Sequence, residues 1–174
     1  MTATAYGPER PYRVAVVCTG NICRSPMGEF LLREAFADAG LDHVVAVDSG
    51  GTTSWEAGSP ADRRTLAVLR RNGHADLGGG GHRARQIDRS WLVDRDLLLA
   101  ADSSHLRDLL RLARTDEERA KVRLFRSFDP AAVEEGTLEM DDPWYGPDRA
   151  FDQTYAEVRA ALPGIIAHVR AALS

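Results

Sequence analysis

The succession of hydrophobic and polar residues predicts strands and helices that alternate along the chain. Runs in which apolar residues follow one another almost without interruption are typical of strands buried on both faces of a parallel sheet. Such runs are Arg13–Val17, His43–Val47, Leu97–Ala101 and Val122–Phe125. Apolar residues spaced three or four positions apart predict helices over Met27–Ala39, Pro60–Asn72, Asp88–Asp94, Ser103–Leu112 and Ala150–Leu173. The pattern predicts an α/β fold around a parallel sheet with right-handed crossovers.

The segments between these elements complete the expected organisation. We expect a single domain over residues 1–174, with residues 1–11 as a flexible leader, because a chain of 174 residues can bury one full core. Ser127–Arg149 is predicted to be a long irregular loop, and such loops in compact domains are usually functional. The glycine run Gly78–Gly81 favours neither helix nor strand. The pair Pro163-Gly164 predicts a kink in the last helix.

Composition and charge exclude several classes of function. The chain is 44% hydrophobic and 28% charged, with a net charge of -4, which argues against a broad basic surface for nucleic acid or an anionic membrane. It contains no apolar run of membrane-spanning length and no signal-peptide pattern, so we expect a cytoplasmic protein. Two cysteines, Cys18 and Cys23, are too few for a tetrahedral zinc site. Reactive thiol chemistry is therefore the better hypothesis than metal binding.

The sequence V-C-T-G-N-I-C-R-S-P, Val17–Pro26, stands where the first strand ends and the first helix begins. Open α/β sheets bind ligands at this position. Five residues between Cys18 and Arg24 let the backbone wrap around one tetrahedral oxyanion, with amide groups pointing inward and the guanidinium closing the ring through two bonds. We therefore predict a phosphate-binding loop after the first strand.

The same arrangement would activate the thiol of Cys18. Inward amide groups, a helix N-terminus and Arg24 all favour the thiolate, which is the nucleophilic form of cysteine. Gly20 and Asn21 tolerate backbone conformations that most side chains forbid, and the hydroxyl of Ser25 can donate to the sulfur. Cys18 is therefore predicted to be a nucleophile at neutral pH.

Together with Asp142-Pro143-Trp144-Tyr145-Gly146 late in the chain, this loop resembles that of the low-molecular-weight protein tyrosine phosphatases of the bacterial type. The resemblance extends over nearly the whole chain, through Asp48-Ser49-Gly50, Trp55, His82–Gln86, Asp102-Ser103-Ser104 and Ser127–Pro130. It implies a single-domain three-layer αβα sandwich with a four-stranded parallel sheet, no metal and no cofactor. It also implies phosphotyrosine-containing proteins as substrates and inorganic phosphate as product, and we expect a monomer.

The resemblance implies the roles of three catalytic residues. Cys18 forms a phosphocysteine, Arg24 binds the phosphoryl oxygens, and Asp142 protonates the leaving phenolate. An acid is needed because the conjugate phenol has a pKa of about 10, and the same carboxylate can then activate water. Asp141 is adjacent, but neighbouring side chains of an extended chain point apart, and only Asp142 matches the Asp-Pro motif.

Further residues are assigned to the substrate by the same resemblance. Trp55, Trp144 and Tyr145 would line the mouth of the pocket and make it too deep for phosphoserine to reach the nucleophile. The loop residues expected at the phosphate are Thr19, Gly20, Asn21, Ile22, Cys23 and Ser25.

Two residues outside the loop are expected to support it. Relatives in this family imply that Ser49 and His82 hold Asn21 in a strained conformation. The other histidines show no metal-ligand spacing and are interpreted as ordinary surface or core residues; they are His43, His74, His105 and His168.

Three other functions compete with phosphotyrosine hydrolysis. Arsenate reductases of this fold relay electrons through later cysteines, and none follows Cys23, although relay through a small external thiol stays open. Protein arginine phosphatases carry Thr where this loop has Ile22. A phosphotyrosine-binding module without catalytic activity would be expected to lack Cys18 or Asp142.

Overall fold

The computed structural model describes residues 6–74 and 81–174. Its sheet has four parallel strands in the order β2-β1-β3-β4. The strands are β1 (Tyr12–Cys18), β2 (Val45–Gly51), β3 (Leu97–Ala100) and β4 (Val122–Leu124). The helices are α1 (Arg24–Asp38), α2 (Arg63–Arg71), α3 (Ser90–Asp94), α4 (Ser103–Leu112), α5 (Asp116–Ala120), α6 (Pro130–Glu135) and α7 (Asp148–Leu173). Short 3₁₀ turns cover Phe125–Phe128 and Pro143–Tyr145.

Helices cover both faces of the sheet. Successive residues of a strand point to opposite faces, so each strand contributes side chains to both helical layers. On β1, Val14 and Val16 belong to a hydrophobic cluster that includes residues of α1, α2 and α7. Ala15 and Val17 belong to a second cluster, which includes residues of α3 and α4. All four are buried, which accounts for the uninterrupted apolar run. The predicted three-layer αβα sandwich with a four-stranded parallel sheet is confirmed.

Strand β2 lies further along the chain than predicted. The sequence places it at His43–Val47, whereas the last three residues of β2, Ser49-Gly50-Gly51, pair with the last three of β1. Serine and glycine have low strand propensity, so the local pattern ends too early. The extended strand brings Ser49 and Gly51 beside the loop that follows Cys18.

The prediction of an irregular loop over Ser127–Arg149 is wrong in part. Helix α6 and the turn Pro143–Tyr145 both lie inside it. Helix α6 begins after Asp129, whose side chain accepts a hydrogen bond from the amide of Ala131. Helix α5 was not predicted either, although Thr115 and Glu118 form a capping box at its start.

The predicted leader is partly ordered against the sheet. The ring of Tyr6 packs edge-on against Tyr12, with centroids 5.2 Å apart, and its hydroxyl donates to Asp96 at 3.0 Å. Tyr6 therefore contacts the fold, although it lies within the stretch 1–11 that the sequence predicts to be a flexible leader. Residues 1–5 and most of the run Gly78–Gly81 lie outside the described residues.

The last helix is longer than predicted and runs without a break from Asp148 through Pro163 to Leu173. A side chain at position 164 would overlap the carbonyl oxygen of Phe128. Gly164 therefore lets α7 pack directly on the 3₁₀ turn Phe125–Phe128. Within the described residues, no helix is both long and apolar enough to cross a membrane.

Candidate active site

The candidate nucleophile lies at the carboxyl end of a central strand. Cys18 is the last residue of β1, and α1 begins at Arg24, so the chain turns from strand to helix within five residues. The Cys18 sulfur is buried and lies 3.0 Å from the hydroxyl oxygen of Ser25. This places a hydroxyl group and the start of a helix next to the sulfur.

Asn21 fixes the conformation of the loop. It is the one non-glycine residue of the described chain with a positive φ, 60°, a left-handed conformation that costs energy in most residues. Its Nδ2 donates to the hydroxyls of Ser25 at 2.8 Å and Ser49 at 2.9 Å. The amide of Arg85 donates to its Oδ1 at 3.0 Å, and His82 Nε2 lies 2.8 Å from its carbonyl oxygen. Ser49 and His82, which the resemblance implies as supports of Asn21, both lie within hydrogen-bond distance of it.

The hydrogen-bond network behind Asn21 includes a carboxylate that the sequence did not indicate. Ser49 donates its hydroxyl to the buried Glu29 on α1, and Arg33 pairs with the same carboxylate at 2.6 Å. On the sequence, Glu29 is one polar residue of a helix, and only its distance from Ser49 in the fold reveals the contact.

Gly51 allows β2 to approach the loop. A Cβ at this position would lie 2.6 Å from the carbonyl oxygen of Thr19. That oxygen accepts hydrogen bonds from the amide of Thr53 at 3.2 Å and its hydroxyl at 3.0 Å. The missing side chain therefore lets the strand support the loop backbone directly.

One edge of the Arg24 guanidinium is occupied by protein groups. Its Nη1 donates to Asp102 Oδ2 at 2.9 Å and to the carbonyl oxygen of Met140 at 2.7 Å. Its Nη2 lies 3.5 Å from Asp142 Oδ2, and its Nε bonds to no residue in the described ranges. The Nε/Nη2 edge, which can grip an oxyanion through two parallel bonds, therefore faces the cleft.

Asp102 fixes the orientation of Arg24. Burial acts to raise the pKa of this carboxyl, but hydrogen bonds from Ser104 and the charge of Arg24 outweigh it and hold the pKa below its usual value. The carboxylate therefore stays ionised and paired. The segment Asp102-Ser103-Ser104 is part of the family resemblance, but the sequence analysis gives no role to Asp102.

The predicted acid is carried by a short turn. Asp142 caps the 3₁₀ turn Pro143–Tyr145, and the amide of Trp144 donates to its Oδ1 at 3.1 Å. Asp142 lines the cleft, whereas the neighbouring Asp141 is exposed and does not.

Arg64 connects this turn to α2. Its guanidinium forms two hydrogen bonds with Asp62, at 3.1 and 3.0 Å, and lies 4.5 Å above the ring of Phe151. Its Nη1 is 3.4 Å from the carbonyl oxygen of Trp144. The amide of Asp62 in turn donates to the carbonyl oxygen of Ile22 at 2.8 Å. Arg64 and Asp62 together therefore connect the turn that carries Asp142 to the phosphate loop, a connection that the sequence did not predict.

The cleft has a volume of about 140 Å³ and is walled by aromatic rings. Trp55 and Tyr145 are strongly exposed at its mouth, and Trp144 packs edge-on against Tyr145. Its lining residues are Cys18, Thr19, Gly20, Ile22, Cys23, Arg24, Trp55, Glu56, Asp142, Trp144 and Tyr145. Of the residues predicted at the phosphate, Asn21 and Ser25 are buried behind this lining instead, and Glu56 was not predicted.

The two thiols of the loop differ in their surroundings. Burial, followed by the charge of Asp62, raises the pKa of the Cys23 thiol well above its usual value. Cys23 is therefore protonated at neutral pH and unsuited to attack. Both cysteines are free. Within residues 6–74 and 81–174, no group of three or more metal-ligating side chains comes together.

Comparison with known proteins gives a consistent result. The family model for low molecular weight phosphotyrosine protein phosphatase matches residues 13–174. A low molecular weight protein-tyrosine-phosphatase of Streptomyces coelicolor is 50% identical over 159 residues, covering 91% of this chain and 94% of its own length. The low molecular weight protein-tyrosine phosphatase A of Mycobacterium bovis is 43% identical over 157 residues, covering 89% and 90%.

A solved protein tyrosine phosphatase from Entamoeba histolytica superposes with a TM-score of 0.82 at 25% identity, covering 91% of this chain and 96% of that one. Because the family model covers the chain from β1 to its end, and relatives match it over nearly their full lengths, the chain belongs to the low molecular weight phosphotyrosine protein phosphatases, a family of hydrolases.

Proposed function

We propose that this phosphatase hydrolyses phosphotyrosine through a phosphocysteine intermediate on Cys18. The observation that supports this mechanism is that Cys18, Arg24 and Asp142 all line one cleft. A nucleophile, an anion-binding fork and a carboxyl group are the three groups that transfer of a phosphoryl group from an aryl ester requires.

In the first step, the Cys18 thiolate attacks phosphorus and the bond to the tyrosyl oxygen breaks. Asp142 gives its proton to the departing phenolate, which leaves as tyrosine. The Nε/Nη2 edge of Arg24 binds two oxygens of the phosphoryl group as charge develops on them. We expect the amides of the loop to provide further donors to the phosphoryl oxygens.

In the second step, a water molecule attacks the phosphocysteine and the phosphorus–sulfur bond breaks. The Asp142 carboxylate accepts the proton of that water, and inorganic phosphate leaves. The Cys18 thiolate and protonated Asp142 are thereby regenerated. The serine hydroxyl 3.0 Å from the sulfur can donate to the thiolate as it departs.

The walls of the cleft favour an aromatic substrate. Trp55 and Tyr145, 79% and 82% exposed, stand at the mouth while Cys18 is buried at the base. A planar ring can pack between such walls and span the depth, whereas phosphoserine offers only one methylene between backbone and phosphate. We further propose that the enzyme acts as a monomer in the cytoplasm, where thiols stay reduced.

The competing reactions have less support from the residues. No third cysteine exists to relay electrons to arsenate. The position occupied by Ile22, which lines the cleft, carries an apolar side chain without a hydroxyl to bind a guanidinium. Both groups expected to be missing from a silent binding module, Cys18 and Asp142, are present.

The decisive experiment compares wild type, Cys18→Ser and Cys23→Ser on p-nitrophenyl phosphate, a phosphotyrosine peptide and the same peptide with phosphoserine. Cys18→Ser should lose turnover and still bind inorganic phosphate, because the amides and Arg24 remain. Cys23→Ser should still turn over the two aryl phosphates. Turnover by Cys18→Ser above a tenth of wild type would exclude the proposed nucleophile.

A further inference from the structure

We propose that His105 is a positioning residue of the reaction, which holds the nucleophile's loop through Thr19 and the phosphate-binding arginine through Asp102. This inference rests on the proposed roles of Cys18 and Arg24. His105 lies on α4, more than eighty residues from the loop, and is 1% exposed. Its Nε2 is 2.8 Å from Thr19 Oγ1, and its Nδ1 is 3.2 Å from the Asp102 amide nitrogen.

The hydrogen bonds select one tautomer of the imidazole. The amide of Asp102 is a donor, and among the described residues Nδ1 is its only acceptor, so Nδ1 carries the lone pair. Asp102 Oδ1, 3.1 Å from Nδ1, already accepts bonds from the amide and hydroxyl of Ser104. The proton therefore resides on Nε2, which donates to Thr19 Oγ1.

The ring is also held in its neutral form. Burial, and secondarily the charge of Arg24, lowers the pKa of His105 to about 4, although Asp102 acts in the opposite direction. A neutral Nε2–H tautomer can bond to both partners at once, whereas the protonated ring would lose the bond from the Asp102 amide.

The two partners of the imidazole lead to the two groups that handle the phosphoryl transfer. Thr19 directly follows Cys18 and lines the cleft. Because its oxygen accepts from His105, its own hydroxyl proton is free to donate elsewhere. The carboxylate of Asp102, whose amide donates to His105, accepts a hydrogen bond from Arg24 Nη1 at 2.9 Å. His105 thus fixes the relative placement of nucleophile and arginine, on which in-line attack depends.

The test uses two amides that each retain half of the imidazole's contacts. In His105→Asn, the side-chain oxygen can still accept from the Asp102 amide but cannot reach Thr19. In His105→Gln, the longer side chain can place an NH₂ donor near Thr19 Oγ1. His74→Asn is the matched control, because His74 is a largely buried histidine bonded through both ring nitrogens, to Glu34 and Tyr155, outside the cleft.

The readouts are kcat and KM for p-nitrophenyl phosphate, the Kd of vanadate, and Tm. We expect His105→Asn to lose about tenfold in kcat and to bind vanadate more weakly, with Tm close to wild type, and His105→Gln to recover most of kcat. Thr19→Val should match His105→Asn, and the double variant should be no worse than either. His74→Asn should lower Tm and leave kcat unchanged.

Two outcomes would overturn the proposal. One is His105→Asn with wild-type kcat and vanadate affinity, and the other is a double variant whose losses multiply. Failure of the proposed function is distinguishable from both, because the wild type would then lack cysteine-dependent aryl phosphatase activity.

Discussion

Gly51→Ala tests whether the strand next to the phosphate loop sets the position of the loop. A Cβ at Gly51 would lie 2.6 Å from the carbonyl oxygen of Thr19 and 3.3 Å from the amide nitrogen of Asn21. Both are backbone atoms of the loop, so no side chain can rotate away to relieve the contact. The loop, the strand or both must move.

The size of the movement follows from the geometry. Ordinary contacts of a Cβ begin at 3.4 Å, so Thr19 must retreat by about 0.8 Å. Misplacing reacting groups by about 1 Å costs on the order of 10²-fold in rate, and we expect Gly51→Ala to lose 10- to 100-fold, on the order given by the same principle. Overpacking should also cost about 1–3 kcal/mol of stability.

Gly50→Ala is the matched control for this loss. Its Cβ would lie 2.5 Å from Ile87 Cγ2 and 2.9 Å from the ring of Trp91, on the opposite face of the same strand. Both variants should lower the free energy of urea unfolding, but only Gly51→Ala should lower kcat/KM for p-nitrophenyl phosphate beyond about threefold. Equal kcat/KM in two folded variants would refute the view that close approach at Gly51 positions the loop.

Three further predictions concern the charged groups of the site. Arg24→Lys should lower kcat on the order of 10²-fold, because an ammonium cannot provide the two parallel bonds of the Nε/Nη2 edge, and steady-state kinetics would contradict this by showing an unchanged kcat. Asp142→Asn should lower kcat by about 10²- to 10⁴-fold for aryl phosphates whose phenol has a high pKa, and by less for nitrophenyl phosphate. Asp141→Asn should keep the wild-type slope of kcat against leaving-group pKa. A wild-type slope in Asp142→Asn would show that another residue is the acid. The folded-state pKa of His105, about 4, lies below its unfolded value of 6.5, so its stabilising contribution is complete above pH 6.5 and is lost as pH falls towards 4. Between pH 7 and pH 4.5, the free energy of urea unfolding should therefore fall by about 2 kcal/mol more in wild type than in His105→Gln. Equal decreases in the two proteins would contradict this prediction.

The parts of the site that could be predicted from the sequence are those contained in one short segment. Cys18, Arg24 and the residues between them act through a single strand–loop–helix, so their spacing carries the chemistry. The alternation of strands and helices could also be predicted locally. Strands β1 and β3 are buried, and each appears in the sequence as an uninterrupted apolar run. The family motif around Asp142 placed the expected acid at the cleft.

The residues that sequence reasoning missed act across long separations. His105 and Asp102 meet the loop only because β3 lies beside β1 and α4 begins at the same edge of the sheet. Glu29 lies on an ordinary helical pattern, and Gly51 matters through a side chain that is absent. The short helix α5 was missed although the sequence contains a signal for it, because Thr115 is a typical helix N-cap residue.

The charges around Arg24 explain how one buried guanidinium can serve both the fold and the reaction. A lone buried cation would be costly, and Asp102 offsets that cost through the Nη1 edge, which is directed away from the incoming phosphate. Asp142 lies only 3.5 Å from Nη2 on the other edge and is more exposed than Asp102. An arriving phosphoryl group must compete with the Asp142 carboxylate for that edge, because two anions cannot share the same donors at close range. In the proposed mechanism, this competition moves the Asp142 side chain off Arg24 and towards the leaving group, where its acid form donates the proton. In the proposed mechanism the two carboxylates therefore have different roles: Asp102 holds the guanidinium in place, and Asp142 moves when the substrate binds.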